Sequence, residues 1–235
     1  MTTSSPVFCA IDRSDLDGAL ALCRSLAGAV GGLKLGLEFV GANGPEGVRR
    51  VSQVGPPIFL DLKLHDIPNT VAGAVRSASR LGIAMLTVHA AGGAAMLRAA
   101  RDAARESARP PAILGVTVLT SLDDDDLRTT GVSDGVERQV LRLADLALEA
   151  GCDGLVCSPR EIASLRARFG PDALLVVPGI RTGPEVQDQR RTLGPGEAMA
   201  LGASRLVVGR PITAAADPRA AALAIDAEIR RARAA

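Results

Sequence analysis

The feature that most constrains the fold is a regular alternation of short apolar runs with longer amphipathic stretches. Eight runs rich in leucine and β-branched residues lie at 7–12, 32–38, 58–63, 85–89, 113–119, 154–158, 174–180 and 205–209. Stretches with helical spacing of apolar residues lie between them, and several end in glycine, which commonly stops a helix. This pattern is typical of repeated βα units built around a parallel sheet.

Eight such units in a chain of 235 residues fit a closed barrel better than an open doubly wound sheet. No G-x-G-x-x-G follows the first run, which argues against a dinucleotide-binding fold. We therefore predict an α/β fold, a single (β/α)₈ TIM barrel domain over residues 1–235, with residues 1–5 flexible. The clearest helical stretches are residues 16–30, 70–82, 94–107, 136–151, 160–170 and 196–203.

The acidic run at residues 123–126 predicts the start of a water-facing helix, because carboxylates are favourable at a helix N-terminus. A metal site in this run is a minor alternative. Elsewhere the sequence shows no ligand cluster that suggests a metal or a cofactor.

The net charge and the composition of the chain limit the classes of binding partner that are expected. The formal net charge is +1 and the chain has no Trp or Tyr, so neither a basic field nor stacking rings indicate nucleic-acid binding. The sequence also lacks a basic leader and any run long enough to cross a bilayer. We expect a cytoplasmic protein with no membrane partner and with reduced, buried thiols at Cys9, Cys23, Cys152 and Cys157, whose spacing suggests neither a disulfide framework nor zinc.

Lysine is almost absent from the chain. Of 27 basic residues, only Lys34 and Lys63 are lysines, and both lie within apolar, strand-like runs. A lysine ammonium is a compact, titratable donor, whereas arginine stays protonated at any workable pH. These two lysines are therefore candidates for chemistry rather than for ordinary surface charge.

Polar residues gather where the predicted strands end. In a (β/α)₈ barrel the C-terminal strand ends form one rim that carries the catalytic groups. The residues that we expect on this rim are Asp12, Lys34, Asp61, Lys63, His89, Thr120, Ser121, Arg181, Gly209 and Arg210.

The third run contains the densest set of charges. Period-two alternation places Asp61 and Lys63 on one face, while His65 and Asp66 belong to the turn that follows. Lys34, Asp61 and Lys63 can form an alternating charge array that stabilises developing negative charge, with Lys63 as proton donor. The alternative is a structural ion-pair network. We expect each of His65 and His89 to orient a neighbour by hydrogen bonding.

The segment after the eighth run predicts a phosphate site. Gly209 allows close approach of the backbone, Arg210 supplies a guanidinium, and Pro211 suits the first turn of a helix. The polar loop at residues 181–191 is long enough to close over a bound phosphate as a lid. The alternative for this loop is an ordinary exposed connection.

These segments resemble those of the orotidine 5′-monophosphate decarboxylase family nearly from end to end. The matching motifs are A-I-D, K-L-G, D-x-K-x-x-D-I-P-N-T, H-A-A-G-G, L-T-S, P-G-I-R, D-Q-R-R and V-G-R-P-I-T, in chain order. Relatives that act on sugar phosphates share the D-x-K-x-x-D core. The I-P-N-T continuation and the D-Q-R-R loop are more specific.

The resemblance implies decarboxylation of orotidine 5′-monophosphate to uridine 5′-monophosphate and CO₂ without a cofactor, the last step of de novo pyrimidine synthesis. Lys34 would contact the ribose together with Asp12 and belong to the catalytic set. Asp61 would lie near the departing carboxylate, and Lys63 would stabilise and protonate the carbanion at C6.

The remaining implied roles concern the partner subunit and the two ends of the nucleotide. Asp66, in the catalytic set, and Thr70 would reach into the active site of the neighbouring subunit of a homodimer. Thr120, with Ser121, would hydrogen-bond the pyrimidine. The phosphate would be held by Gln189, Gly209 and Arg210, with Arg181 beside them.

Two rival interpretations stay open at this point. One is a magnesium-dependent sugar-phosphate enzyme of the same superfamily, a 3-keto-gulonate-phosphate decarboxylase or a hexulose-phosphate synthase, in which carboxylates hold Mg²⁺ against an enediolate. The other is a barrel that binds a phosphate ligand without catalysis. Turnover in the presence of a chelator separates the first rival from our prediction, and turnover itself separates the second.

Overall fold

The computed structural model describes residues 5–181 and 193–234. Within this part of the chain, eight strands form a closed barrel in sequence order from β1 to β8, and every neighbouring pair is parallel. The predicted (β/α)₈ barrel is confirmed. The prediction that residues 1–5 are flexible concerns residues that, apart from Ser5, are outside the described part of the chain.

The strands fall where the apolar runs predicted them. Their bounds are β1 Val7–Ala10, β2 Gly32–Leu35, β3 Ile58–Leu64, β4 Met85–His89, β5 Ala112–Val116, β6 Gly154–Val156, β7 Leu174–Val177 and β8 Arg205–Val208. Several end earlier than predicted, because apolar residues that follow the hydrogen-bonded ladder extend the run without belonging to the sheet. Val118, for example, is buried but lies two residues beyond β5.

The helices surround the barrel. They are α1 Leu16–Leu26, α2 Leu37–Ser52, α3 Pro68–Ser79, α4 Gly93–Arg105, α5 Asp124–Thr129, α6 Gly135–Glu149, α7 Ile162–Phe169, α8 Pro195–Ala200, α9 Arg210–Thr213 and α10 Pro218–Ala234, with 3₁₀ turns at Ala90–Gly92 and Pro159–Glu161. No helix among the described residues combines the length and the apolar character that spanning a bilayer requires.

Helix α2 was not among the clearest predicted helices, and its sequence explains why. It contains Gly41, Gly44 and Pro45, all poor helix formers, and Gly44 adopts φ 60° and ψ −167° in the middle of it. Phe39, Val48 and Val51 nevertheless bury one face against the barrel. Packing of that face therefore outweighs the low local propensity.

The acidic run does start a helix. The Asp123 carboxylate accepts hydrogen bonds from the backbone N–H groups of Asp125 and Asp126, both at 3.0 Å, and so caps helix α5. Asp124, Asp125 and Asp126 are exposed. No three His, Cys, Asp or Glu side chains within residues 5–181 and 193–234 are grouped so that they could hold a metal ion.

Alternate strand residues fill the barrel interior. The inner cluster is Phe8, Ala10, Phe59, Met85, Leu114, Val116, Val156, Val176 and Val207. The Phe8 and Phe59 rings meet edge to face with their centroids 6.4 Å apart. Gly32 makes room for them, since a methyl group there would lie 2.1 Å from the Phe8 ring. This cluster forms the floor beneath the polar rim.

The four cysteines are buried free thiols. Burial raises the pKa of Cys9, Cys23 and Cys152 to about 12. It also raises the pKa of Cys157, which is fully buried. All four therefore stay protonated at neutral pH, and none has the character of a nucleophilic thiolate.

Candidate active site

Two adjoining cavities open at the C-terminal rim of the barrel. The first, here called the lysine cavity, has a volume of about 150 Å³ and is lined by Lys34, Phe59, Asp61, Lys63, Val116, Val118, Leu119, Thr120, Val156, Cys157, Pro178 and Val207. The second, the arginine cavity, has a volume of about 290 Å³ and is lined by Ala10, Asp12, Lys34, Pro178, Gly179, Ile180, Arg181, Val207, Gly209, Arg210 and Pro211. Lys34, Pro178 and Val207 belong to both. Together they match the size of small-molecule sites, roughly 300–1,000 Å³.

Lys63 and Asp61 form an ion pair in the wall of the lysine cavity. The Lys63 ammonium lies 2.9 Å from each oxygen of the Asp61 carboxylate. The Asp61 side chain is 16% exposed and that of Lys63 is 32% exposed, so the pair is largely desolvated on the protein side and open toward the cavity. An ammonium held in this way is a fixed positive charge that faces the space a ligand would occupy.

Lys34 and Asp12 form the second ion pair of the rim. The Lys34 ammonium donates to Asp12 at 2.8 Å, and the Lys34 side chain is 11% exposed. Among the described residues no ion pair joins Lys34 to Asp61. The charge array that the sequence predicts is therefore two neighbouring ion pairs, whose lysines both line the lysine cavity.

Gly36 is a residue of this site that sequence reasoning missed. A methyl group at position 36 would lie 3.0 Å from the Lys34 ammonium and 3.4 Å from the Asp12 carboxylate. Its φ of −101° is available to any residue, so the glycine serves the space beside the ion pair rather than the backbone. Gly36 is the glycine of the K-L-G motif, but the motif alone does not indicate why glycine is needed there. The reason is visible only when the position of the Lys34–Asp12 ion pair is known.

The arginine cavity contains the predicted phosphate groups. Arg181, Gly209 and Arg210 all line it, at the ends of β7 and β8. The Nε atom of Arg181 is buried and has no hydrogen-bond partner among the described residues. Among the described residues, a methyl group at Gly209 would meet only Ala10, at an ordinary 3.7 Å. The protein neighbours therefore do not themselves require glycine at position 209.

Thr120 and Ser121 follow β5 but differ in position. Thr120 lines the lysine cavity, whereas Ser121 is exposed and lies outside the lining of both cavities. Thr120 is thus placed to contact a ligand directly in this conformation of the chain, and Ser121 is not.

Asp66 and Thr70 lie away from the cavities of their own chain. Both are exposed at the rim, and neither lines the lysine cavity or the arginine cavity. The Asp66 carboxylate accepts a hydrogen bond from the Ile67 N–H at 2.6 Å. Ile67, which lies between Asp66 and Thr70 in the sequence, exposes 67% of its surface.

Part of the predicted site falls outside the described residues. Gln189 and the D-Q-R-R motif lie there, as does the proposed lid apart from Arg181. The backbone of Arg181 donates to the carbonyl of Leu193 at 3.2 Å, so the two described ends of this segment are in contact.

The two histidines stack on each other beside Lys63. Their ring centroids are 5.2 Å apart and the planes are inclined by 21°. Burial lowers the pKa of His89, and the nearby His65 and Lys63 lower it further. None of the hydrogen bonds between described residues involves either imidazole, and the Nδ1 atom of His89 is buried without a partner there. The two rings thus support each other by stacking rather than by the hydrogen bonds that the sequence suggested.

Comparison with known proteins adds independent information. The family model described as "Orotidine 5′-phosphate decarboxylase / HUMPS family" matches residues 5–225. A protein of Paramagnetospirillum magneticum named orotidine 5′-phosphate decarboxylase is 54% identical over 96% of this chain and 98% of its own length. A protein of the same name from Rhodospirillum rubrum is 55% identical over 97% of this chain and 95% of its own length.

A solved structure shows the same similarity in three dimensions. The crystal structure of orotidine 5′-phosphate decarboxylase from Lactobacillus acidophilus superposes with a TM-score of 0.84 and 38% identity, covering 96% of this chain and 99% of that chain.

Proposed function

The chain belongs to the orotidine 5′-phosphate decarboxylase / HUMPS family, and we propose that it converts orotidine 5′-monophosphate to uridine 5′-monophosphate and CO₂ as the last step of pyrimidine synthesis. Near-full-length relatives at 54% and 55% identity that carry the decarboxylase name favour this branch of the family. The observation that carries the proposal is the Lys63–Asp61 pair in the wall of a cavity that adjoins an arginine-lined one.

The two cavities fit the two ends of a nucleotide. The phosphate would occupy the arginine cavity, where Arg181 lines the wall and Gly209 leaves space. Gln189 of the loop and Arg210 would complete this end. The ribose would lie at the Lys34–Asp12 pair, which borders both cavities.

The pyrimidine would enter the lysine cavity. Its apolar walls come from the inner cluster, among them Phe59, Val116 and Val207. Thr120 would hydrogen-bond the edge of the ring, with Ser121 joining it once a ligand is bound. The C6 carboxylate would then approach Asp61, and the two negative charges would repel each other more in the substrate than after CO₂ has left.

The reaction then follows from the position of Lys63. The C6–carboxylate bond breaks, its electron pair stays on C6, and the ammonium of Lys63 stabilises this charge. One ammonium proton passes to C6, which completes uridine 5′-monophosphate, and the resulting amine regains a proton from water. The step needs neither a metal nor a cofactor.

The distant phosphate would contribute to rate as well as affinity. Binding energy from a part of the substrate that does not react can be used to hold the reacting part against its repulsion from Asp61. A substrate that lacks the phosphate should therefore lose kcat as well as affinity.

The active unit would be a homodimer. Asp66 and Thr70 are exposed and lie outside the cavities of their own chain, which is expected if they serve the cavity of a second copy. The exposed Ile67 between them would then be covered by the partner.

A spectroscopic assay tests the proposed function. Purified protein treated with a chelator is mixed with orotidine 5′-monophosphate, and we expect the ultraviolet absorbance of the substrate to be lost with no need for added Mg²⁺. Failure to turn over this substrate would overturn the proposal. Mg²⁺-dependent conversion of 3-keto-gulonate phosphate by the same protein would assign it to the other branch of the family.

A further inference from the structure

Strands β3 and β4 fall out of register beside the ion pair. Leu60 pairs with Leu86 and Leu64 pairs with Val88, so β3 advances by more residues than β4 between the two pairs. Thr87 is the single β4 residue between them, opposite the segment that carries Asp61 and Lys63. A bulge of this kind leaves ladder groups without backbone partners and redirects side chains.

The Thr87 hydroxyl occupies the gap that the bulge opens. Its Oγ1 accepts a hydrogen bond from the backbone N–H of Lys63 at 2.8 Å and donates one to Oδ1 of Asp61 at 3.0 Å. The directions are fixed, because a backbone N–H can only donate and a carboxylate can only accept. Thr87 is 0% exposed, so its hydroxyl is shielded from bulk water.

These bonds close a circuit that begins and ends in Lys63. The backbone N–H of Lys63 binds Thr87, Thr87 binds Asp61, and Asp61 binds the ammonium of Lys63. Lys63 has φ 50° and is the only residue other than glycine with positive φ among the described residues. L-residues rarely adopt this conformation, and it persists only where neighbouring groups hold it.

We propose that Thr87 is a positioning residue for the decarboxylation. Its hydroxyl holds the strained backbone of Lys63 and the carboxylate of Asp61 in one arrangement, so that the ammonium is fixed before substrate arrives. Thr87 lies outside the lining of both cavities and acts only through the two charged residues. This inference rests on the proposed function for its kinetic consequence, whereas its structural part does not.

The chain offers closely matched variants. Thr87→Val keeps the shape of the side chain and removes the hydroxyl, and Thr87→Ser restores the hydroxyl alone. Thr117→Val is the control for loss of a buried hydroxyl, because Thr117 is also 0% exposed and donates to the Val156 carbonyl at 3.2 Å. None of the hydrogen bonds between described residues joins Thr117 to Lys63.

The kinetic test measures kcat and KM for orotidine 5′-monophosphate and the affinity for uridine 5′-monophosphate. Thr87→Val should lose roughly 10- to 100-fold in kcat, since a buried N–H loses its acceptor and the ammonium loses its fixed position. KM and product affinity should stay within about threefold, because the phosphate and ribose contacts are untouched. Thr87→Ser should recover kcat to within about threefold, and Thr117→Val should remain within about twofold of the wild type.

A second measurement does not depend on turnover. Selective ¹⁵N-lysine labelling gives two backbone amide signals, since the chain contains only Lys34 and Lys63 as lysines. In Thr87→Val the Lys63 amide should exchange with solvent at least about tenfold faster, while that of Lys34 keeps its rate.

The outcomes separate the two proposals. If the wild-type protein does not decarboxylate the substrate but Thr87→Val loses protection of the Lys63 amide, the structural part of the inference is supported and the proposed function is overturned. Wild-type kcat in Thr87→Val, equal impairment of Thr87→Ser and Thr87→Val, or an unchanged Lys63 amide in an active enzyme would each overturn the role of Thr87.

Discussion

The two lysines of the chain are held in different ways. Lys34 is nearly buried and binds a single oxygen of Asp12, whereas Lys63 binds both oxygens of Asp61 and remains open to the cavity. A buried charge is tolerated when it is paired and hydrogen-bonded. The first pair therefore suits a fixed contact to a ligand, and the second suits a charge that acts on one.

Substitution of Gly36 tests the space beside the Lys34–Asp12 pair. Gly36→Ala should lower kcat/KM about tenfold or more, because the new methyl group displaces the ammonium it would crowd at 3.0 Å. Gly41→Ala is the control, since a methyl group added at that exposed position in α2 would meet no described residue within 4 Å beyond the adjacent helix backbone. It should leave kcat/KM unchanged and raise the free energy of unfolding by about 0.5–1 kcal/mol. Equal kinetics in the two variants would show that the pair does not need this space.

The buried His89 predicts a pH dependence of stability. Burial, His65 and Lys63 lower its pKa in the folded chain, so the unfolded chain binds this proton at a higher pH than the folded one. Its contribution is therefore present above the ordinary histidine pKa and is lost as pH falls toward the lowered value. Urea unfolding at about pH 7 and about pH 5 should show a smaller loss of stability for His89→Gln than for the wild type. An equal or larger loss in the variant would contradict this.

At the scale of single residues, the sequence predicted the charged groups but not what positions them. Lys34 and Lys63 could be identified because lysine is otherwise absent. Thr87 could not, since threonine is common in strands and its role arises from a register shift between β3 and β4 that no local pattern shows. Gly36 was hidden for a similar reason, because the ion pair it accommodates joins two different strand ends.

Among the elements, helix α7 connects two loops at the end of the barrel opposite the cavities. The Arg166 guanidinium donates to the carbonyls of Gly202 at 2.7 Å and Ala173 at 2.7 Å, and to the Ser204 hydroxyl at 2.9 Å. It also donates to the carbonyls of Gly170 and Pro171. These acceptors precede β7 and β8, so one side chain fixes the entry of both strands.

The role of Arg166 can be measured against a neighbour on the same helix. Arg166→Met should lower the free energy of unfolding by about 2–4 kcal/mol, because several carbonyls lose a charged donor. Arg168→Met removes an ion pair with Asp145 in which Arg168 is 50% exposed, together with a guanidinium contact 5.8 Å from the centre of the Phe169 ring, and should cost about 1 kcal/mol. Both should keep wild-type kcat. Equal destabilisation in urea unfolding would rule out the connecting role.

The sequence predicted strands better than helices for a physical reason. Each strand is a short buried run, and its burial does not depend on capping or on propensity along a long segment. Helix α2 was concealed by Gly44 and Pro45, and the single turn of α9 is too short for a periodic pattern. The predicted strands end too late wherever apolar loop residues follow the hydrogen-bonded part of the strand.

At the scale of the whole molecule, the barrel collects residues that are distant in sequence at one rim. The closed parallel sheet places every strand end on the same side, so Asp12 and Arg210 line one cavity although they lie near opposite ends of the chain. The clustering of strand-end residues at one rim could be predicted from the eight regularly spaced apolar runs. The proposed contribution of Asp66 and Thr70 could not be derived from one chain, because it would require a second copy.

Mixed dimers test whether the site is shared. Heterodimers of an Asp66→Asn subunit and a Lys63→Ala subunit, isolated through two different tags, should show about half of wild-type activity, since one site is assembled from unaltered residues. Heterodimers of a wild-type subunit with a doubly substituted subunit should be nearly inactive. If the site lay within one chain, the first pairing would be inactive and the second half-active.

We propose that the Lys63 ammonium stabilises and protonates the carbanion at C6. The most direct test of this proposal is kcat of Lys63→Ala for orotidine 5′-monophosphate, measured beside the affinity of that variant for uridine 5′-monophosphate. We predict that kcat falls by more than about 10⁴-fold while product affinity changes by less than about tenfold. A kcat within about tenfold of the wild type, in a variant that still binds the product, would show that Lys63 is not the proton donor.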